Sequence, residues 1–305
     1  GIGLLLTFVV EVVVLVGDIA RMNTVFKFYL QVWELFSLAA AAAFAWTWLA
    51  SDSWQPLWRR IWFLISALLL FAAALYPLTA AVAKVRDRMV FDAPPSLNGM
   101  DYMRYADNYF ELNRHMDLGQ DYQAIRWLQE NVQGSPVIVE ANTPEYRWGS
   151  RYTIYTGLPG VLGWRWHQSQ QRVAADGDTV NVRLFDITDF YLTDDLPEAK
   201  AFIDEYAVQY VVVGQLERTY YEMVEPCFPL LEDGGVTCSL RGYPMGMPSN
   251  YDTPARECEA INVDDDTAGL RCPTGGLDKF ADLVEEGTLR LVYDHDETQI
   301  YEVSD

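Results

Sequence analysis

Basic residues are in short supply in this chain. It holds 22 Lys and Arg against 43 Asp and Glu, a formal net charge of −21. That balance excludes a nucleic-acid partner, which needs a cationic surface. It also argues against a domain lying flat on anionic lipid. Histidine is scarcer still, with three residues. The four cysteines, Cys227, Cys238, Cys258 and Cys272, form no CxxC pair and have no histidine among them. Zinc is therefore not expected, and no metal is assigned. The acidic clusters at Asp264–Asp266 and Asp176/Asp178 lack the spacing and glycine turn of a Ca²⁺ loop. The chain also lacks repeats, heptads, a phosphate-binding glycine loop and a nucleophile elbow. It starts at Gly1 with no initiator Met and no signal-peptide n-region. This reads as the C-terminal part of a larger multi-span protein.

Long hydrophobic runs are what the first part has. Residues 1–84 read as three transmembrane helices, at about 1–16, 27–50 and 61–83. The last two are long enough to cross a ~30 Å hydrocarbon core at ~1.5 Å per residue. Residues 85–120 read as a juxtamembrane connector, and 121–305 as an α/β domain. Charge follows this division. Seven Lys/Arg and five Asp/Glu lie through residue 90, which leaves fifteen basic and thirty-eight acidic residues for the remainder. Arg59 and Arg60 sit between the second and third spans, and the positive-inside rule puts that loop in the cytoplasm. The large domain is then extracytoplasmic in a multi-pass protein of the cell membrane. Four cysteines within one loop-rich stretch point the same way, to two disulfides in an oxidising compartment. Three pairings are open, and buried free thiols are the alternative.

The first two spans carry unusual polar residues. Glu11 and Asp18 are seven apart and share a helix face, as do Lys27, Gln31 and Glu34 on the next helix. Asp18, Arg21, Asn23 and Lys27 cluster at the outer interface. A charge at mid-membrane costs at least ~2.5 kcal/mol, so such residues face protein or water. The expected pocket consists of Glu11, Asp18, Asn23 and Glu34, with Arg21 and Lys27 binding a lipid phosphate. The competing reading is a Glu–Lys pair that only fixes helix packing.

The expected fold is a set of membrane α-helical spans plus an extracytoplasmic α/β domain with a mostly parallel sheet and a C-terminal antiparallel hairpin. Asp121 is expected to cap a helix ended by Gly134. Pro136–Ala141 reads as a buried strand and Tyr152–Tyr155 as a short one. Helix 196–206 precedes strand Val208–Val213. Helix 277–286, ended by Gly287, precedes a hairpin of 289–293 and 299–303. Continuous apolar strands alternating with helices suggest parallel pairing.

Gly157–Arg172 (GLPGVLGWRWHQSQQR) stands apart. After a Gly/Pro-rich turn it packs Trp164, Trp166, His167, Gln168 and Arg172. Aromatic faces with amide and guanidinium donors suit a sugar or a phosphate, and loops at strand ends commonly carry function. Trp164, His167, Gln168 and Arg172 are its pocket candidates. A purely structural loop is the alternative. No paired base and nucleophile can be read.

The stretch Gly17–Trp33 (GDIARMNTVFKFYLQVW) resembles the signature of the YYY-type membrane proteins, a largely uncharacterised bacterial and archaeal family. Tyr155–Arg172, Tyr210–Arg218 (YVVVGQLER) and 277–303 resemble that family's soluble-domain motifs. The cysteine-bearing stretch, about 226–275, departs from the family pattern and reads as an insertion. The family is distantly similar to GT-C type membrane glycosyltransferases. That resemblance implies a polyprenyl-phosphate-linked sugar donor, a glycan or protein acceptor, and a catalytic acid upstream of Gly1. It implies no certain cofactor and leaves the need for a divalent metal open. A non-catalytic membrane-anchored envelope binding or assembly protein is the reading from another class, and a channel or transporter is a third.

Overall fold

The computed structural model describes residues 1–14, 21–89, 93–106, 109–171, 178–229, 235–239, 250–254, 258–264 and 267–304. It forms two compact units, Gly1–Phe91 and Asp92–Asp305.

The first unit is helical. Helix α1 (Ile2–Val12) packs on α2 (Met22–Ala50), and α3 (Pro56–Arg88) follows after a short 3₁₀ turn. Gly3 lets α1 approach α2 closely, since a Cβ there would meet the Phe36 ring at 2.8 Å. Pro56 opens α3, where its missing N–H costs nothing, and Arg86 and Arg88 sit in the last turn, complementing the helix dipole. Helices α2 and α3 are long and apolar enough to cross a membrane, whereas α1 is shorter. Leu68, Leu69 and Phe71 leave more than half their surface exposed, as lipid-facing side chains do. Around the α2–α3 turn, Phe44, Trp48, Trp62 and Phe63 pack ring to ring, with the Trp48 and Phe63 centroids 4.8 Å apart. Trp54 joins Trp62, and Arg59 lies over Phe63 while pairing with Asp52 at 2.7 Å. Aromatic rings beside arginine are the usual composition of a membrane–water boundary.

The second unit is built on a four-stranded sheet of order β10–β11–β4–β3. Its strands are β3 (Val137–Val139), β4 (Val208–Val213), β10 (Leu289–His295) and β11 (Thr298–Val303). Helices α4 (Leu118–Asn131), α7 (Thr179–Leu192), α8 (Leu196–Glu205), α9 (Gln215–Tyr221) and α10 (Lys279–Glu285) accompany it. Ile138, Val211, Val212 and Ile300 form a core with Phe190, Tyr191, Leu216 and Phe280, all at most 1% exposed. The small hairpin β1 (Tyr109–Glu111) and β2 (Arg114–Met116) precedes α4.

The expected mostly parallel sheet is not what forms. Of the named strand pairs only β3–β4 is parallel, and β4–β11 and β10–β11 are antiparallel. Apolar continuity in β4 reports a central strand covered on both faces, and that burial does not depend on its neighbours' direction. Direction was decided downstream, where the C-terminal hairpin inserts β11 beside β4.

Two local expectations also change. Residues 152–155 lie in helix α5 (Arg151–Thr156), because the Glu140 carboxylate accepts from the amides of Tyr152 at 3.0 Å and Thr153 at 2.9 Å. Asp117, not Asp121, caps α4, accepting from Gly119 N at 2.9 Å. Asp121 lies one turn inside and is fully buried.

The cysteine-bearing stretch is a second, antiparallel sheet of order β7–β6–β5–β9–β8. It comprises β5 (Met223–Pro229), β6 (Gly235–Ser239), β7 (Asn250–Pro254), β8 (Glu259–Asp264) and β9 (Thr267–Pro273). Of the three pairings, Cys227–Cys238 and Cys258–Cys272 form, with Cα atoms 3.9 and 4.3 Å apart. Cys227 and Cys238 face each other directly across β5 and β6. The sheet leaves and rejoins the rest of the unit at one point, where Thr274 N donates to Glu222 O at 3.1 Å and Met223 pairs with Pro273. Replacing 225–272 with a short Gly-Ser link should therefore leave the four-stranded sheet folded, with a lowered melting temperature because Cys227 and Val236 pack on the core. Circular dichroism during heating checks this, and loss of a cooperative transition would refute it.

Candidate functional site

The parallel pair β3–β4 sets the candidate site, since ligands commonly bind beyond the carboxyl ends of such strands. Here those ends converge on one guanidinium. Arg151, 1% exposed, donates through Nε to Asp121 Oδ1 at 2.8 Å. Through Nη2 it donates to Glu217 Oε2 at 2.8 Å, and its Nη1 lies 3.5 Å from Glu140 Oε2. Glu140 directly follows β3, and Glu217 lies in the first turn of α9 after β4. Glu217 also accepts from Ala141 N at 2.7 Å and Gly214 N at 2.9 Å, so one carboxylate ties both strand ends together. Asp121 accepts from Trp148 Nε1 at 2.7 Å and Tyr152 OH at 3.0 Å.

Electrostatics separates these acids. Burial would raise the Glu217 carboxyl, but the Arg151 charge and hydrogen bonds from Arg151, Ala141 and Gly214 hold it below the usual range. Burial dominates at Glu140 and lifts it to about 7, against the lowering pull of Arg151 and two backbone amides. Arg151 is raised well above its ordinary value by Asp121 and Glu217 despite its burial. The strand ends are thus plugged by a charge-paired knot.

A more accessible feature lies on the loops that leave this knot. The segment after Gly157 runs beside β3, with Ile138 N donating to Pro159 O at 2.9 Å and Ile138 bridging Gly160 in parallel. That docking positions Trp164 and helix α6 (Arg165–Gln171). Glu145 accepts from Trp166 N at 2.9 Å at the start of α6. Tyr146, Trp164 and His167 form a triangle with ring centroids 5.5 to 5.7 Å apart. Tyr146 is 68% exposed, and its backbone is left-handed at φ 65°, an uncommon state for tyrosine. His167 is exposed, while Trp164 is half-buried and its buried indole N–H has no hydrogen-bond partner among the described residues. Gln168 lies next door, lining a cavity of about 100 Å³ with Val161, Thr179 and Arg183. The structure thus brings Trp164, His167 and Gln168 into one neighbourhood. Arg172 lies outside the described residues.

In the helical unit Arg21 pairs with Glu11, so one of the two expected phosphate-binding cations is already neutralised. Lys27 and Glu34 are exposed on α2, Asn23 is half-buried, and Asp18 lies outside the described residues.

The sequence reading missed Asp121, Glu140, Arg151 and Glu217 as a group. A carboxylate ending an apolar strand (PVIVEA) and one three residues after the glycine in VVVGQLE were the available signals.

Residues 1–36 match the family model described as Uncharacterized membrane protein (DUF2298). That is the YYY-type resemblance carried by Gly17–Trp33. With the two long apolar helices it marks the chain as a membrane protein. Among solved structures, the C-terminal globular domain of oligosaccharyltransferase from Archaeoglobus fulgidus is similar at 15% identity and a TM-score of 0.28, covering 60% of this chain and 96% of that one. No curated protein matches the chain.

Proposed function

We propose that this chain belongs to an integral membrane glycosyltransferase-like protein. In this reading it uses a polyprenyl-phosphate-linked sugar on the outer face, and its globular unit holds the glycan or protein acceptor. The observation that carries the reading is the aromatic triangle in which exposed Tyr146 and His167 flank a half-buried Trp164. Flat apolar faces edged by a few polar donors suit a sugar, whose ring has apolar faces and a hydroxyl rim. Lys27 is then the first candidate for the lipid phosphate, since Arg21 shares its charge with Glu11. In this reading the Arg59–Arg60 loop faces the cytoplasm.

Titrating the detergent-solubilised chain with neutral oligosaccharides, read by tryptophan fluorescence and calorimetry, tests the acceptor site. Trp164→Ala should weaken binding about tenfold, equivalent to ~1.4 kcal/mol, with the melting temperature little changed. Equal affinity in Trp164→Ala, Tyr146→Ala and the parent would remove the triangle from the site.

A second reading, a membrane-anchored binding protein without catalysis, is favoured by one observation. Asp121, Glu140 and Glu217 are at most 6% exposed and engaged with Arg151, so none is open to a substrate. Sugar transfer by the full-length protein in membranes separates the two readings.

A further inference from the structure

A different group of residues forms a groove that the glycosyl-transfer reading does not use. Arg114 of β2, Arg218 of α9 and Arg271 of β9 line one cavity of about 150 Å³. These residues come from three separate stretches of the chain after residue 90, which holds only fifteen basic side chains against thirty-eight acidic ones. The overall field of such a surface repels anions. At a Debye length of ~8 Å, however, a ligand inside the cavity responds mainly to its immediate lining. The two inner arginines are held from behind by the β10–β11 turn. Arg114 pairs with Glu297 at 2.5 Å, and Arg218 donates to Glu297 O at 3.3 Å and Gln299 Oε1 at 3.1 Å. Those bonds fix the guanidinium planes and use only part of the five N–H donors on each.

Through Arg218, Glu222 and Met223 this cavity borders a larger cleft of about 550 Å³. The cleft contains Asp278, Asp282 and Gln299. Its acceptor-rich lining complements hydroxyl groups and rejects a second anion. The groove is therefore graded, with Arg114 and Arg271 at one end, Asp278 and Asp282 at the other, and Arg218 and Glu222 lining both. About 150 Å³ admits an oxyanion with a few waters at ~30 Å³ each.

We propose that this groove binds an acidic saccharide, its carboxylate or ester oxyanion held by Arg218 and Arg271, with Arg114 sharing its charge with Glu297 beside them, and its neutral hydroxyls by the Asp278–Asp282 end. The polarity fixes the direction in which the sugar lies.

Calorimetric titration of the full chain in detergent with a trisaccharide of uronic acid, the matching neutral trisaccharide and inorganic sulfate tests the assignment. The uronate should bind best, with affinity falling as salt rises. Arg218→Gln and Arg271→Gln should each weaken it about tenfold. Arg218→Lys, which keeps the charge, should weaken it less, and melting temperatures report whether each variant is folded. Asp282→Asn should weaken the uronate and leave sulfate unchanged. Failure of the uronate to bind would overturn the proposal, as would equal affinity in the folded arginine variants. Sulfate or the neutral sugar binding as tightly as the uronate would also overturn it. Retained binding in Trp164→Ala keeps this result distinct from the acceptor-site test.

Discussion

Replacing Arg151 by Met should unfold or nearly unfold the globular unit at neutral pH. The side chain is fully buried, and the substitution leaves Asp121, Glu140 and Glu217 facing one another without a cation. Removing one partner from a buried ionic group costs about 3–5 kcal/mol. A domain has only about 5–15 kcal/mol in total. The defect should shrink in acid, because carboxyls that lose their cation bind protons more readily. Replacing the acids as well, in Arg151→Met with Asp121→Asn and Glu217→Gln, should recover part of the loss. Denaturant titration of the full chain in detergent at pH 5 and pH 8 checks this. An Arg151→Met protein as stable as the parent at pH 8 would show that the knot contributes little.

Between pH 4.5 and 7 the globular unit should lose about 3 kcal/mol of stability as pH rises. Glu140 has its carboxyl lifted from 4.5 to about 7 on folding. In that window the folded state binds the proton more tightly than the unfolded chain does. Its contribution is therefore complete below 4.5 and is lost as pH rises through 7. The magnitude follows from ~1.4 kcal/mol per pH unit. Lys279 acts above neutrality. It is buried against Phe190 and Phe280, and desolvation lowers its amine from 10.5 to about 7. The unfolded chain then binds more protons between 7 and 10.5, so stability rises with pH there. The two limbs meet in a minimum near neutral pH. Glu217, held low, adds stability above its ordinary value of 4.5 that is lost in stronger acid. Buried Tyr152 and Tyr191, raised well above 10.0, end the alkaline limb. Melting temperatures from pH 4.5 to 9.5 check the profile. Glu140→Gln should flatten the acid side of the minimum and Lys279→Met the alkaline side. A parent profile that rises steadily from pH 5 to 7 would contradict the role given to Glu140.

Local pattern determined a good deal of this molecule. The long apolar runs became α2 and α3, because length and hydropathy alone decide which segments suit a bilayer. Val208–Val213 is a strand over the range read from VQYVVV, and the C-terminal hairpin and the helix before β4 lie where expected. Each is an element whose apolar period and terminating residues are contiguous in the chain. Gly287 at φ 79° follows α10 as a glycine stop should. Clustered cysteines pointed to two disulfides, although spacing could not choose the partners.

Tertiary structure alone decided the rest. Cys227 and Cys238 pair because antiparallel register puts them opposite each other. The sheet turned mainly antiparallel because β11 entered beside β4 from the far end of the chain, which no property of VQYVVV encodes. Residues 152–155 became helical because a carboxylate from residue 140 met their first amides. Asp121 reads in sequence as a helix cap, yet its partners are Arg151, Trp148 and Tyr152, 27 to 31 positions away. The surface triangle was half legible: Trp164 and His167 stood out in a dense aromatic stretch, while Tyr146 reached them only through the folding of its loop. Hydropathy and local period report how each segment meets solvent or lipid. Which charges share a buried site depends on contacts between distant segments, and those exist only once the chain has closed on itself.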